Sequence, residues 1–348
     1  MSLRLAFAYP GNLQLRTGGY GYDRQIIAGL NKLGWEIDLI ALGDGFPAPS
    51  PEVMKQAEAR LSALPDDTLV MIDGLAFGIL DAWAEREAGR LKIVALVHHP
   101  LALETGVSEA DQSRLRQSEK RALDATRHVI VTSPMTAREL AQNFAVPDAS
   151  ITVAVPGTAQ PSTKRSRQNQ VPHILSVGSL TKRKGHDILM EALKKISDLS
   201  WYATIIGNPT LDPETTNTLT KLLARLGLAE RVTLAGECDN LEAAYATSDI
   251  FALASRYEGY GMVFAEALSY GLPVIACRTG AVPDVVPAEA GFLVPVDDVD
   301  AMASALRTLL SDPAERARRA EAAAKAGAEL PSWVDTSSII SNKLKELI

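Results

Sequence analysis

Apolar residues along the chain alternate between two patterns. Short runs rich in aliphatic and β-branched residues are separated by stretches in which apolar positions recur every three or four residues. Residues 3–9 have the first character. After a glycine-rich turn, residues 22–33 have the second, with Ile26, Ile27, Leu30 and Leu33 on one helical face. Further strands are predicted at 36–42, 68–72, 92–97, 129–132 and 151–155, with helical stretches between them. Strands alternating with helices predict parallel sheets covered on both faces.

The rhythm breaks at Pro156-Gly157. The run Pro161-Ser162-Thr163-Lys164-Arg165-Ser166-Arg167-Gln168-Asn169-Gln170 is polar and reads as a linker, its basic residues as a solvated connector rather than a nucleic-acid patch. Strands then resume at 173–177, 202–206, 232–234, 250–253, 274–276 and 292–294, and an Ala-rich helix covers 320–328. The expected organisation is an N-terminal domain at 1–158, a linker at 159–172 and a C-terminal domain at 173–331. A tail follows at 332–348, its helical pattern set by Val334, Ile339, Ile340, Leu344 and Leu347. The fold class is therefore α/β: two Rossmann-like doubly wound domains facing a cleft, with ligands outside the carboxyl ends of the strands.

Composition narrows the function classes. The 348 residues carry 35 Lys+Arg against 42 Asp+Glu, a net charge of −7, which disfavours general binding to nucleic-acid backbones. Cys238 and Cys277 form no CxxC, so neither a disulfide scaffold nor a cysteine-built zinc site is expected. No run of 18 apolar residues occurs, and Leu3-Arg4-Leu5-Ala6-Phe7 opens without a signal-peptide layout. The expectation is a soluble, cytoplasmic, reduced protein.

The chemistry concentrates in Ser255-Arg256-Tyr257-Glu258-Gly259-Tyr260-Gly261-Met262-Val263-Phe264-Ala265-Glu266-Ala267-Leu268, directly after a predicted strand. Gly259 and Gly261 let the backbone turn tightly and let a ligand approach. A helix starting near Met262 offers N–H groups and a dipole that favour an anion such as a diphosphate. Glu266 lies four residues on, about 6 Å along the axis, and its side chain leans back toward that end. Glu258 would face the opposite end of the same ligand. Two surface glutamates on an ordinary strand–turn–helix are the competing reading, disfavoured by the glycines and the strand placement.

Glu258-x7-Glu266, with Gly-Tyr-Gly after the first glutamate, resembles the E-x7-E signature of retaining GT-B-fold glycosyltransferases of family four. Val177-Gly178-Ser179-Leu180-Thr181-Lys182-Arg183-Lys184-Gly185-His186-Asp187-Ile188-Leu189 resembles the strand–loop–helix that opens that family's second domain. Thr279-Gly280-Ala281-Val282-Pro283-Asp284-Val285-Val286 and Gly291-Phe292-Leu293-Val294-Pro295 resemble its later turns. The resemblance implies that Glu266 holds the ribose of a nucleotide-sugar donor and Glu258 the hydroxyls of the transferred sugar. Met262 and Val263 would give backbone N–H groups to the diphosphate, and Arg183 and Lys184 their cations, while Gly259, Tyr260 and Gly261 shape the turn. Such fixed donors stabilise charge developing on a departing phosphate, and a guanidinium fork suits phosphate oxygens. Many relatives carry arginine directly after the first glycine. This chain has Ser179, and Arg183 is expected to supply the charge instead.

In the first domain, Gly18-Gly19-Tyr20-Gly21 resembles the family's glycine-rich loop facing donor phosphates and acceptor, with Gly19 as its donor-side member. A plain βα turn competes with that reading, and the GxGxxG spacing of a dinucleotide site is missing. His98, in Val97-His98-His99-Pro100 at a strand end, matches the relatives' histidine that contacts the transferred sugar; His99 is the reserve. A metal at this histidine pair is discounted, since no carboxylate or third histidine stands at ligand spacing. Asp298-Val299-Asp300 has the DxD form of metal-dependent sugar transferases, but it opens a helical stretch and reads as a cap. No metal cofactor is expected. By resemblance the tail helix crosses back to the first domain.

The function expected is transfer of a hexose, with retention, from a nucleotide-diphosphate sugar to a hydroxyl of a saccharide, lipid-linked saccharide or lipid. The base should lie near Gly236-Glu237-Cys238, and a UDP-sugar is favoured over a GDP-sugar by the resemblance alone, since UDP-sugars are the commoner donors among relatives. The alternatives are a sugar-nucleotide epimerase on the same fold and a non-catalytic nucleotide-sugar-binding protein. Arg114, Arg116, Lys120, Arg121 and Arg127, mixed with Asp111, Glu119 and Asp124, predict an exposed charged helix with a thin apolar face of Leu115, Ala122 and Leu123. Peripheral contact with the inner face of a membrane stays open, as does the oligomeric state.

Overall fold

The computed structural model describes residues 3–103, 108–162 and 169–348. They divide into two compact units: Met1–Gly157 with Pro331–Ile348, and Thr158–Leu330. The first carries β1 (Leu3–Tyr9), β2 (Trp35–Ala41), β3 (Leu69–Asp73), β4 (Lys92–Val97), β5 (His128–Val131) and β6 (Ile151–Val153). All pair in parallel, in the order β2-β1-β3-β4-β5-β6. Parallel neighbours require crossovers, and helices supply them. One face buries Ile72, Phe77, Trp83 and Phe144, the other Phe7, Tyr22, Ile26 and Leu30.

The second unit repeats the scheme with β7 (His173–Val177), β8 (Tyr202–Ile206), β9 (Val232–Gly236), β10 (Ile250–Leu253), β11 (Val274–Cys277) and β12 (Gly291–Val294). Its parallel order is β12-β11-β10-β7-β8-β9. Leu189, Leu193, Trp201, Ile250 and Leu306 are among its core residues. The strand order reverses once in each sheet, between β1 and β3 and between β7 and β10. Ligands of doubly wound sheets sit at such reversals, outside the carboxyl ends of the strands. The loops after these four strands are therefore where chemistry belongs.

Several expectations are corrected. The glycine-rich segment does not precede its helix but begins it. The helix runs Gly18–Lys32, with Thr17 as N-cap accepting from the Tyr20 N–H at 3.4 Å. Threonine is a good cap, and a Cβ at Gly18 would meet nothing. The expected linker is not all solvated connector: Ser162 bonds Glu242 at 2.5 Å and Asn169 bonds Asp249 at 2.8 Å, both within the second unit. Its basic run Lys164-Arg165-Ser166-Arg167 lies outside the described residues.

The tail forms the helix Trp333–Leu347 in the first unit, but Val334 and Ile339 are 68% and 41% exposed. Its packing face is Thr336, Ser337, Ile340, Ser341 and Leu344. The small hydroxyl residues matter because the helix lies close to Gly29, where a Cβ would come within 1.9 Å of Ser337 Oγ. Trp35 Nε1 donates to Ser341 Oγ at 2.9 Å, and Ile340 and Leu344 join Ile26 and Leu30 in the core. No helix among the described residues is long and apolar enough to cross a membrane.

Glu119 is not part of a solvated face. On the helix Glu109–Asp124 it is buried with Leu115, Ala122 and Leu123. One carboxylate oxygen accepts the Leu101 N–H at 2.9 Å, while Oε1 has no partner among the described residues. Burial pushes its pKa up to about 8. The folded chain thus holds this proton more tightly than the unfolded chain does. The resulting stability is full below the ordinary carboxylate range and is lost as pH rises through about 8. Glu119→Gln removes that loss. Between pH ~5.5 and ~9 its Tm should fall by roughly 3–8 °C less than wild type's, measured by thermal unfolding at both ends. Parallel curves would contradict the burial argument.

Candidate functional site

In the second unit the loop after β7 and the loop after β10 meet at the strand-order reversal. Lys182–Lys184 forms a single 3-10 turn closed by Gly185 at φ +62°, and a Cβ there would lie 2.0 Å from the Ala254 carbonyl oxygen. Only glycine tolerates both the left-handed backbone and that approach. Arg256 N–H donates to the Arg183 carbonyl at 2.8 Å. The Arg256 guanidinium grips Asp187 at 2.8 and 3.2 Å and Asp297 at 2.8 Å. The two loops are thereby held as one piece.

Glu258 sits at the centre of that piece, 5% exposed. Lys184 Nζ and Ser255 Oγ each donate to Oε1 at 2.6 Å, and Arg183 Nη1 lies 3.4 Å from Oε2 and 2.9 Å from the Tyr257 carbonyl. Burial alone would raise the Glu258 pKa, but the Lys184 and Arg183 charges outweigh it and hold the carboxyl below its ordinary value. The Glu258 backbone is clamped as well: Ala281 N–H donates to its carbonyl at 2.9 Å. Gly280 packs so closely that a Cβ would lie 2.1 Å from that same oxygen.

The chain then turns through Gly259 and Tyr260 to Gly261, left-handed at φ +90°, which opens the helix Met262–Ser269 with no side-chain cap. The first-turn amides of Met262 and Val263 therefore meet no capping side chain, the arrangement that binds anions. Tyr260 is nearly buried, and burial lifts its hydroxyl to about 12. One turn along, Glu266 Oε2 accepts from Tyr245 Oη at 2.7 Å. Burial raises its pKa and the tyrosine bond partly offsets that. Tyr245 is itself fixed by stacking on Phe251 and Tyr270. Asp298 caps the helix Val299–Ser311 by accepting the Ala301 N–H at 2.8 Å, and Asp300 pairs with Lys195, so the DxD segment serves local structure.

In the first unit the reversal lies between β1 and β3, and His98 stands just past β4. His98 Nε2 is 3.2 Å from Asp23 Oδ1 and 3.6 Å from Asp73 Oδ2. Asp23 comes from the helix Gly18–Lys32 and Asp73 ends β3. Both carboxylates are buried, and the ring is packed edge-on by Tyr22 at 5.3 Å. A Cβ at Gly19 would come 3.6 Å from His98 Cδ2, so Gly19 lies along the edge of this ring. Sequence spacing argues against a metal here because it sets no carboxylate beside the histidine pair. That ground fails, since the fold brings two carboxylates to within 4.8 Å of the histidine nitrogen and of each other. His98 rather than the reserve His99 is the ring they meet. Burial disfavours a charged ring, but hydrogen bonds to Asp23 and Asp73 outweigh it and lift the His98 pKa to about 10. Burial and the Asp73 charge push Asp23 up to about 7 against the pull of His98.

Sequence reasoning missed Asp23, Asp73, Ser255, Arg256 and Tyr245. Two left a trace: Asp23 sits on the apolar stripe of Ile26 and Leu30, and Asp73 ends the apolar run Leu69-Val70-Met71-Ile72.

Two parallel-sheet α/β units, each with one strand-order reversal, have the GT-B architecture. Structures of the same form include sucrose-phosphate synthase from Thermosynechococcus elongatus, at TM-score 0.84 and 21% identity over 99% of both chains. HepE from Anabaena, in complex with UDP and glucose, matches at TM-score 0.78 and 18% identity over 97% of this chain and 99% of that one. The family described as Glycosyl transferases group 1 matches residues 161–326, and Glycosyltransferase Family 4 matches residues 24–158. A GDP-mannose-dependent alpha-(1-6)-phosphatidylinositol monomannoside mannosyltransferase of Mycobacterium tuberculosis is 32% identical over 77% of this chain and 72% of its own length. The enzyme of that name from Mycolicibacterium smegmatis is 35% identical over 47% of this chain and 44% of its own. The chain belongs to this glycosyltransferase family.

Proposed function

We propose that the protein is a retaining hexosyltransferase, moving a hexose from a nucleoside-diphosphate sugar to an acceptor hydroxyl without a resident metal. What carries the reading is the helix Met262–Ser269, uncapped at left-handed Gly261, with the Lys184–Glu258–Arg183 cluster at one side and Glu266 one turn along. Diphosphate oxygens would take the Met262 and Val263 amides, and Arg183 and Lys184 would add positive charge as the phosphate departs. Glu266 would accept from the ribose hydroxyls and Glu258 from hydroxyls of the sugar, with Gly259 and Tyr260 completing the turn. His98, on the first unit, would touch the transferred sugar. In front-face displacement the anomeric carbon–phosphate bond breaks, the bond to the acceptor oxygen forms, and the acceptor proton passes to the departing phosphate.

Fixed cations and a helix end perform the charge stabilisation that a divalent ion would otherwise supply. Activity should therefore survive excess chelator within about twofold; a sharp loss, restored by one divalent ion, would reject the metal-free reading. The acceptor is a saccharide, lipid-linked saccharide or lipid. The first unit offers a cavity of about 500 Å³ lined by Arg114, Gln117, Ser118 and Arg121 against Asp81, Pro47 and Met54, with Arg121 paired to Asp81, a polar lining that suits a hydroxylated molecule. Uracil is favoured as the base by the abundance of UDP-sugar enzymes in the family this chain resembles; GDP-mannose is the second reading, favoured by the relative named for it at 32% identity.

Glu266→Ala tests the donor grip. Losing a carboxylate that bonds two hydroxyls should weaken UDP or GDP binding by roughly 10- to 100-fold. Thermal shift with UDP, GDP and ADP ranks the base in the same experiment, because a bound nucleotide stabilises the fold by mass action. Unchanged nucleotide affinity would remove Glu266 from the ribose.

A further inference from the structure

Two buried carboxylates converge on one ring nitrogen of His98 from elements far apart in the chain. Nε2 is 3.2 Å from Asp23 and 3.6 Å from Asp73. Asp73 is further committed, since its Oδ1 accepts the Leu75 N–H at 2.7 Å. Asp23 Oδ2 is buried with no hydrogen-bond partner among the described residues, so its carboxylate depends on the histidine for compensation. Tyr22 packs edge-on against the ring, and Tyr20 on the same helix Gly18–Lys32 feels the charges of both aspartates. Burial and the Asp73, Asp23 and Asp44 charges push Tyr20 up to about 12, and burial and the Asp23 charge raise Tyr22 well above the ordinary tyrosine value, so both stay neutral. Tyr22 donates to the Ala154 carbonyl at 2.8 Å and Tyr20 to the Pro10 carbonyl at 2.9 Å, so neither hydroxyl competes for the imidazole.

We propose that Asp23 and Asp73 are positioning residues that hold His98 as an imidazolium cation, so that its Nδ1 acts toward substrate as a hydrogen-bond donor and not as a base. A neutral ring donating from Nε2 to one carboxylate would offer Nδ1 as an acceptor. A second carboxylate on the same nitrogen adds negative charge beside a ring that has one proton there, and protonating the ring at Nδ1 as well supplies the positive charge that offsets it. A cation with a donor N–H suits an oxygen that gains negative charge or a sugar hydroxyl that must be held. It does not suit removal of the acceptor proton, which agrees with passing that proton to the departing phosphate. The functional half of this proposal rests on the hexosyltransferase reading; the charge state does not.

The test is 15N–1H correlation of the histidine side chains in the full chain from pH 6 to 10, with His98→Gln assigning the signals. Wild-type His98 should keep both ring nitrogens protonated at pH ~8, where an ordinary histidine of pKa about 6.5 is neutral. Asp23→Asn and Asp73→Asn should each move its titration to lower pH, and the double variant close to the ordinary value. Circular dichroism and nucleotide binding by the second unit report folding; if a variant unfolds, the wild-type titration alone decides. Turnover of Asp73→Asn should fall about tenfold at pH ~8.5 and recover to within about threefold at pH ~6, where the ring is again protonated. A neutral wild-type ring at pH ~7.5, asparagine variants that leave the titration unmoved, or a divalent ion that binds and shifts the His98 signals would each overturn the proposal. An imidazolium in a chain that transfers no sugar would instead reject the hexosyltransferase reading and leave the charge state standing.

Discussion

His98→Ala should lower turnover by about 10²-fold or more while leaving nucleotide affinity within about twofold of wild type. The split follows from the architecture. His98 and its two carboxylates belong to the first unit, and every side chain proposed to hold the nucleotide belongs to the second. Removing the ring also leaves Asp23 and Asp73 facing each other without a cation, so the first unit loses stability as well as chemistry. His98→Gln is the informative partner, keeping a hydrogen-bond donor at the position without a charge. If the charge matters, glutamine recovers folding and not turnover. The measurement is kcat and KM for donor consumption beside a calorimetric titration with the nucleoside diphosphate. Full activity in His98→Ala would move the role to His99 or remove it from the mechanism.

Lys184→Ala should cost about 2–3 kcal/mol of stability in the second unit and weaken diphosphate binding about tenfold or more. Lys184 and Glu258 are 11% and 6% exposed at the side chain and 2.6 Å apart. Deleting the lysine leaves the buried carboxylate to Ser255 and the more distant Arg183 among the described residues, so the penalty stays below that of a fully orphaned charge. The pH dependence has a definite sign. The wild-type Glu258 pKa is held below its ordinary value, so the stability it contributes is present above that value and lost as pH falls through the lowered one. Without Lys184 that loss should begin at higher pH. Glu258→Gln on the Lys184→Ala background should return part of the stability, because a neutral amide needs no counter-charge, but none of the diphosphate affinity. Thermal unfolding from pH 4 to 8 with a nucleotide titration reads both. If Lys184→Ala matched wild type in both, Lys184 would neither compensate Glu258 nor contact the diphosphate.

The layered fold was legible because strands buried on both faces write short, continuous apolar runs. Ile250-Phe251-Ala252-Leu253 is fully buried and could hardly be anything else. Helix faces were legible where packing is by aliphatic bulk, as at Ile26 and Leu30. They were not where packing relies on small size. The tail's Ser337 faces inward against Gly29, where only small residues fit, and Ser341 accepts from Trp35, while Val334 is exposed, so hydrophobicity alone misassigns that face.

The second-unit loops could be read because Glu258, Gly261 and Glu266 lie within one strand–turn–helix, whose geometry local spacing fixes. What Glu258 binds could not be read, since Lys184 lies 74 residues earlier. The same holds more strongly for His98, which meets Asp23 across 75 residues. Neither aspartate is near it in sequence, and only the β1/β3 strand-order reversal puts all three together.

On the proposed mechanism a sugar nucleotide lodges at the uncapped end of the Met262 helix and gives up its sugar there. Incubation of the intact protein with UDP- and GDP-hexoses, followed by NMR of the anomeric proton, tests it most directly. Release of nucleoside diphosphate with a new anomeric signal of unchanged configuration, or slow hydrolysis where no acceptor is supplied, is the expected result. Donors that stay intact and fail to bind, or that are only isomerised, would contradict it.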